Sequence, residues 1–123
     1  MIRIENLEKS FGKLAVLKNV SLNFSAGEVV ALIGPNGSGK TTLIKSILGL
    51  VIPDAGKISL DGQNVLQGWE YRSQIGYMPQ IGRYPEQMKI RQVFEMMKDL
   101  RSSTSHLDEE LISNFGLQTL MDK

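Results

Sequence analysis

Gly34, Gly39, Lys40 and Thr41 occupy the fixed places of the pattern G-x-x-x-x-G-K-[ST] within the run Gly34-Pro35-Asn36-Gly37-Ser38-Gly39-Lys40-Thr41. The chemistry that this spelling serves is the holding of a polyphosphate. Several negative charges must be neutralised at close range, with no bulky side chain in the way. Gly34, Gly37 and Gly39 lack a Cβ, so the backbone can turn its N–H groups onto phosphate oxygens. Lys40 offers a mobile positive charge for the β- and γ-phosphates, and the Thr41 hydroxyl is suited to ligate Mg²⁺. The bland alternative, a surface turn of Gly, Asn and Ser, needs neither the lysine nor the threonine. The residues predict a nucleoside triphosphate site.

Such a loop works only between a strand and a helix. Val29-Val30-Ala31-Leu32-Ile33, just before it, is the most apolar run of the chain and reads as a fully buried parallel strand. Thr42 to Leu50 read as a helix with Leu43, Ile44, Ile47 and Leu48 on one face, ended by Gly49 and Pro53. The positive end of that helix dipole would point at the same anion. Upstream, Ile2, Ile4 and Leu7 near-alternate, and Leu14–Leu17 with Val20–Phe24 form a second strand beyond the Phe11-Gly12-Lys13 turn. Ser25–Glu28 reads as a tight connection, and Lys57–Leu60 as a further strand closed by Asp61-Gly62. These early strands look antiparallel. Ile75–Met78 reads as a short strand, Lys89–Leu100 as a helix with Ile90, Val93, Phe94 and Met97 at helical spacing. Ser105-x-x-Asp108 fits a capping box ahead of a third helix that stops at Gly116.

Composition narrows the class. The chain has 123 residues, of which 41% are hydrophobic and 22% charged, enough for one modest core. Fourteen basic against thirteen acidic residues leave a net charge of +1 with no long basic run, so no nucleic-acid partner is expected. The absence of cysteine excludes disulfides and thiolate metal sites and suits a reducing, cytosolic compartment. No apolar stretch approaches a membrane span, and Met1–Glu5 alternates like a strand rather than a signal peptide.

Beyond the loop itself, the spacing of phrases resembles the ATP-binding cassette (ABC) ATPases, the motors of ABC transporters. Lys9-Ser10-Phe11-Gly12-Lys13 followed by Val16–Ser21 is similar to the family's upstream aromatic phrase. Residues 34–42 reproduce its G-P-N-G-[SA]-G-K-[ST]-T loop. Leu48-Gly49-Leu50, Pro53-x-x-Gly56-x-Ile58 and Asp61-Gly62 follow its usual continuation, and Ile75-Gly76-Tyr77-Met78-Pro79-Gln80 looks like its glutamine loop. The resemblance implies an α/β fold: part of a P-loop NTPase core, with an N-terminal antiparallel β subdomain and the start of a helical subdomain. Residues 1–80 would be the nucleotide-binding, β-rich part and 81–123 the first of the helical part.

Carried over, the resemblance assigns nucleotide contacts to Gly34, Asn36, Gly37, Ser38, Gly39, Lys40, Thr41 and Thr42. Phe11 would stack on adenine with Val16 as an apolar neighbour. The family usually has tyrosine there, and phenylalanine keeps the π face without the hydroxyl; the alternative for Phe11 is a core residue of the small sheet. Gln80 would ligate Mg²⁺ with Thr41 and help orient the attacking water, so Lys40 and Gln80 are the expected catalytic residues; the alternative for Gln80 is a polar strand-end residue. The region after Gln80, including Arg83-Tyr84-Pro85-Glu86, would meet a transmembrane permease, and a second ATP-binding subunit would complete a dimer. That places the protein in the cytoplasm, on the membrane's inner face.

Other residues attract blander readings. Met88, Met96 and Met97 read as helix packing, Trp69 and Tyr71 as local packing, and His106 as a surface residue. Asp54 and Asp61 belong to turns and form no catalytic pair. The family's signature, its acidic strand and its switch histidine would lie further on than Lys123, so the sequence reads as the N-terminal half of a cassette that binds nucleotide with little turnover. A soluble ABC ATPase acting on the ribosome or nucleic acid, or a non-hydrolysing nucleotide-binding fragment, are the alternatives that the residues leave open.

Overall fold

Ile4 and Leu7 are both buried although they stand three residues apart, a spacing that a regular strand does not permit on one face. In the computed structural model, which describes residues 1–80, 82–101 and 112–123, Asn6 resolves the conflict. Its φ of 48° marks an extra residue in β1 (Ile2–Phe11), and the antiparallel register against β2 (Leu14–Phe24) shifts between Ile4 and Leu7. The Asn6 N–H, displaced from the ladder, donates to Ser21 Oγ at 2.9 Å. On the other edge of β1, β3 (Ala55–Leu60) is also antiparallel, and its register shifts at the same place, between Glu5 and Glu8. Gly56 sits against the bulge with φ +92°. A Cβ there would lie 2.4 Å from the Asn6 carbonyl oxygen and 2.6 Å from Leu7 Cα, so no side chain fits.

Short turns close both hairpins. Gly12-Lys13 joins the Phe11–Leu14 pair, and Asp61-Gly62, at φ 47° and 84°, joins β3 to β4 (Gln63–Asn64) in the positive-φ geometry that matches strand twist. The sheet order is β2-β1-β3-β4. Its inner face carries Ile4, Leu7, Leu17 and Ile58, which pack with Leu43 of α1 (Lys40–Ile47), with Val65 and with Tyr71. Each large apolar side chain buried this way stabilises by about 1.5–3 kcal/mol. Tyr71, on a short 3₁₀ helix (Glu70–Gln74), is fully buried. Trp69 is 70% exposed and does not pack as expected.

Two expected strands are absent. Val29–Ile33 has no regular secondary structure and joins no sheet, and Val29 and Ile33 are almost fully exposed. Val30, Ala31 and Leu32 border an open groove of about 450 Å³ against Phe24, Leu43 and Ile47. An apolar run becomes a buried strand only where neighbours supply ladder partners and cover, and none of the described residues pairs with it. Ile75–Met78 likewise is not part of a strand.

The chain divides into Met1–Gly76 and Tyr77–Lys123. In the second unit, α2 (Ile90–Arg101) starts at Lys89, whose N–H donates to Gln92 Oε1 at 2.8 Å, half of a capping box. Its first free N–H groups find the chain end: Arg91 N–H donates to the Met121 carbonyl at 3.0 Å. Val93 and Phe94 are half-buried, whereas Met97 is exposed. Residues 112–114 are helical, Gly116 takes φ 63°, and a 3₁₀ helix follows at Leu117–Leu120. The capping box at Ser105–Asp108 and His106 lie outside the described residues. Among the described residues no helix is long and apolar enough to cross a membrane.

Candidate nucleotide site

The glycines of the loop do what a side chain would prevent. Gly37 and Gly39 take φ of 81° and 94°, a region open to glycine at little cost. Gly39 is the N-cap of α1, no side chain caps the helix, and its first turn holds no acidic residue. The first-turn N–H groups therefore keep their partial positive charge with no side-chain cap to offset it, as an anion site requires. At Gly34 a Cβ would come within 2.8 Å of Ser38 Oγ, so the glycine keeps the loop narrow. Ser38 N–H closes the turn onto the Pro35 carbonyl at 3.2 Å.

Lys40 bends back over this turn. Its ammonium donates to the Gly34 carbonyl, to the Pro35 carbonyl at 2.7 Å and to Ser38 Oγ at 3.2 Å. The charge is thus held at the mouth of the loop on three oxygens. Asn36 and Thr41 are exposed, and Thr42 is half-buried, with its carbonyl taken by Ser46 Oγ at 2.8 Å. No group of three His, Cys, Asp or Glu able to hold a metal occurs among the described residues. The Thr41 hydroxyl is an exposed oxygen of the type that a hard divalent cation takes.

Strand β2 comes up against the loop. A Cβ on Gly39 would lie 3.0 Å from the Val16 carbonyl oxygen and 3.1 Å from Val16 Cγ1, so Val16 lies beside the start of α1. Val16 precedes Leu17, the register partner of Lys9, and follows Ala15, the partner of Ser10. One residue further along β1, at the hairpin tip, stands Phe11. It is half exposed and is not a core residue of the sheet. The structure thereby joins the phosphate loop, Val16 and the hairpin of Phe11 in one unit. Gln80 belongs to the second unit, as an exposed residue at a bend.

The sequence offered no contact between two residues that meet beside this tip, Lys9 of β1 and Asp54 of a turn. Lys9 Nζ lies 5.3 Å from the Phe11 ring centroid and 3.3 Å from Asp54 Oδ1. Asp54 Oδ2 accepts from the Ser10 N–H at 2.7 Å. That backbone bond, aided by Lys9, holds the Asp54 carboxyl below its ordinary 3.8. The i, i+2 spacing of Lys9 and Phe11 on one strand was the available signal for the first contact. Nothing local announces Asp54, which comes from a turn 45 residues away.

Comparison with known proteins decides the family. Residues 17–123 match the family model described as ABC transporter. The chain belongs to the ABC transporter ATP-binding family. It is 36% identical over 130 residues, 99% of its length, to the lipopolysaccharide export system ATP-binding protein LptB of Haemophilus influenzae, covering 54% of that protein. It is 47% identical over 77 residues, 63% of its length, to the sulfate/thiosulfate import ATP-binding protein CysA 1 of Chromobacterium violaceum, of which it covers 22%. A solved structure titled as the ATP binding subunit of an ABC transporter superposes on the whole chain with a TM-score of 0.84 at 30% identity, and 53% of that chain is covered. The sequence thus spans about half or less of these relatives. As an ABC family member it keeps the α/β architecture, whereas Phe11 and Val16 fall just before the region that the family model matches.

Proposed function

We propose that the chain binds MgATP at the Gly34–Thr42 loop and serves as the ATP-binding part of an ABC transporter. The observation that carries this reading is the loop's geometry: positive-φ Gly37 and Gly39, a helix start without a side-chain cap, and the Lys40 ammonium folded over the turn. The backbone of Gly34, Asn36, Gly37, Ser38 and Gly39, with Lys40, Thr41 and Thr42, would hold the phosphates. Phe11 would carry the purine ring, with Val16 closing the gap between base and loop. Thr41 and Gln80 would supply ligands to Mg²⁺, and Lys40 and Gln80 are the residues proposed to act in hydrolysis. Transfer of the γ-phosphoryl group to water, giving ADP and inorganic phosphate, would supply the free energy for transport.

In the whole protein, residues 81–123 begin the part that meets a membrane permease, a second ATP-binding subunit completes the assembly, and both lie on the cytoplasmic face. The apolar run Val29–Ile33 would there gain strand neighbours. One relative is named for import and the other for export, so neither direction nor cargo is assigned to this chain. Both names describe transport, which favours this reading over a soluble ATPase of the ribosome or nucleic acid. The test is calorimetric titration with ATP in the presence and absence of Mg²⁺. Lys40→Ala should abolish most of the binding, and Thr41→Ala should remove the Mg²⁺ dependence while metal-free binding persists. Unchanged affinity in both variants would overturn the site.

A further inference from the structure

A half-exposed phenylalanine beside a two-residue turn would ordinarily sample several rotamers, and ordering it would count against any ligand that uses its face. Here the ring has a fixed neighbour. The Lys9 ammonium stands over one face, 5.3 Å from the centroid, and the Lys9 side chain is only 18% exposed. Lys9 is itself held by Asp54, at 3.3 Å. Asp54 in turn is tied to β1 twice: its carboxylate accepts from the Ser10 N–H at 2.7 Å, and its own N–H donates to the Glu8 carbonyl at 2.8 Å. A turn between α1 and β3 thereby reaches across to brace the hairpin tip.

We infer that Lys9, braced by Asp54, is a positioning residue for the Phe11 ring, covering one face so that the other is presented to the purine base of a nucleoside triphosphate. The inference rests on the reading of Phe11 as the base platform. Its physical content is preorganisation: the cation–π contact and the ion pair select the ring orientation before the base arrives, so less ordering is left for the binding step. It separates Lys9 from Lys40, which acts on the phosphates. A lysine that merely adds positive charge to the site would raise the affinity of any polyphosphate; a lysine that sets the ring acts only on ligands that carry a base.

The experiment titrates the chain with MgATP and with magnesium tripolyphosphate, which has the phosphates without the base. Lys9→Met keeps the stem and removes the charge; it should weaken ATP by about three- to tenfold and leave tripolyphosphate unchanged. Lys9→Arg, which keeps a cation within reach of Asp54, should restore ATP affinity. In a Phe11→Ala background Lys9→Met should have no further effect. Should Lys9→Met fail to fold, as judged by thermal melting, Asp54→Asn is read in the same way, because it retains an acceptor for Ser10 and loses the charge that holds Lys9. Equal loss with both ligands, or the same loss without Phe11, would overturn the inference. If Phe11→Ala lowers ATP affinity selectively and Lys9→Met does not, only the role of Lys9 falls. If Phe11→Ala leaves the ratio of the two affinities unchanged, the base platform itself falls.

Discussion

Residues 29–33 and residues 34–42 adjoin in the chain and differ in where their structure comes from. The loop takes its form from its own residues: glycines at positive φ, a Ser38–Pro35 turn, and a lysine folded onto carbonyls five and six positions back. The apolar run has no such means. Its hydrogen bonds and its cover must come from other strands, and among the described residues it joins no sheet and leaves Val29 and Ile33 in solvent. A phosphate loop can therefore be shaped beside a segment that has not found its sheet. What the loop does need from outside is small: Val16 of β2 pressed on Gly39.

That dependence gives the sharpest way to break the comparison. Gly39→Ala places a methyl 3.0 Å from the Val16 carbonyl at a φ of 94°, and strain plus overpacking should cost about 2–3 kcal/mol, read as lower thermal stability together with lost ATP binding. A variant that melts and binds normally would show that the contact with β2 is dispensable. Lys40→Ala comes next: loss of a charge-assisted phosphate contact should weaken ATP by roughly 10- to 100-fold with little change in melting temperature. A fall in stability as large as the fall in affinity would mean that Lys40 chiefly holds the loop together.

The apolar run should respond weakly. Ile33→Ser removes a side chain that is 91% exposed, so its effect on the stability of this chain should stay within about 0.5 kcal/mol, and a loss above about 2 kcal/mol would restore the buried strand. The smallest effect concerns Asp54. Its carboxyl is held below the ordinary value by Ser10 and Lys9, so it favours the folded state above pH 3.8, and that contribution is lost as pH falls through the lower folded-state value. The melting temperature of Asp54→Asn should therefore depend less on pH in the acid range than that of the parent; parallel curves would remove the carboxylate's role.

The same contrast explains what the sequence could reveal. The hairpin turns at Gly12-Lys13 and Asp61-Gly62, the strands that they join and the helix start at Lys40 follow from residues within a few positions of one another. The bulge at Asn6 was hidden because Ile2, Ile4 and Leu7 still look nearly alternating, and only Gly56, fifty residues on, reveals the close approach. Val29–Ile33 misled because an apolar run reports what a segment could bury, not whether a ladder partner stands beside it. In the candidate site the loop was legible as a motif, and Phe11, whose role is a proposal, was pointed to by its flanking phrase. The Lys9–Asp54 brace was not, since it joins a strand to a distant turn through side chains.

The contact between Gly56 and the Asn6 bulge has a consequence for how this protein would score in a saturation screen. Gly56 is two residues from Asp54, and Asp54 holds the hairpin tip through Ser10 and Lys9. Any side chain at 56 must push β3 off β1, and the turn that carries Asp54 would be displaced with it. Selected for ATP retention on a resin, a library would therefore mark position 56 as intolerant alongside Gly39 and Lys40, and a map of hits coloured by selection strength would place a false contact residue on β3.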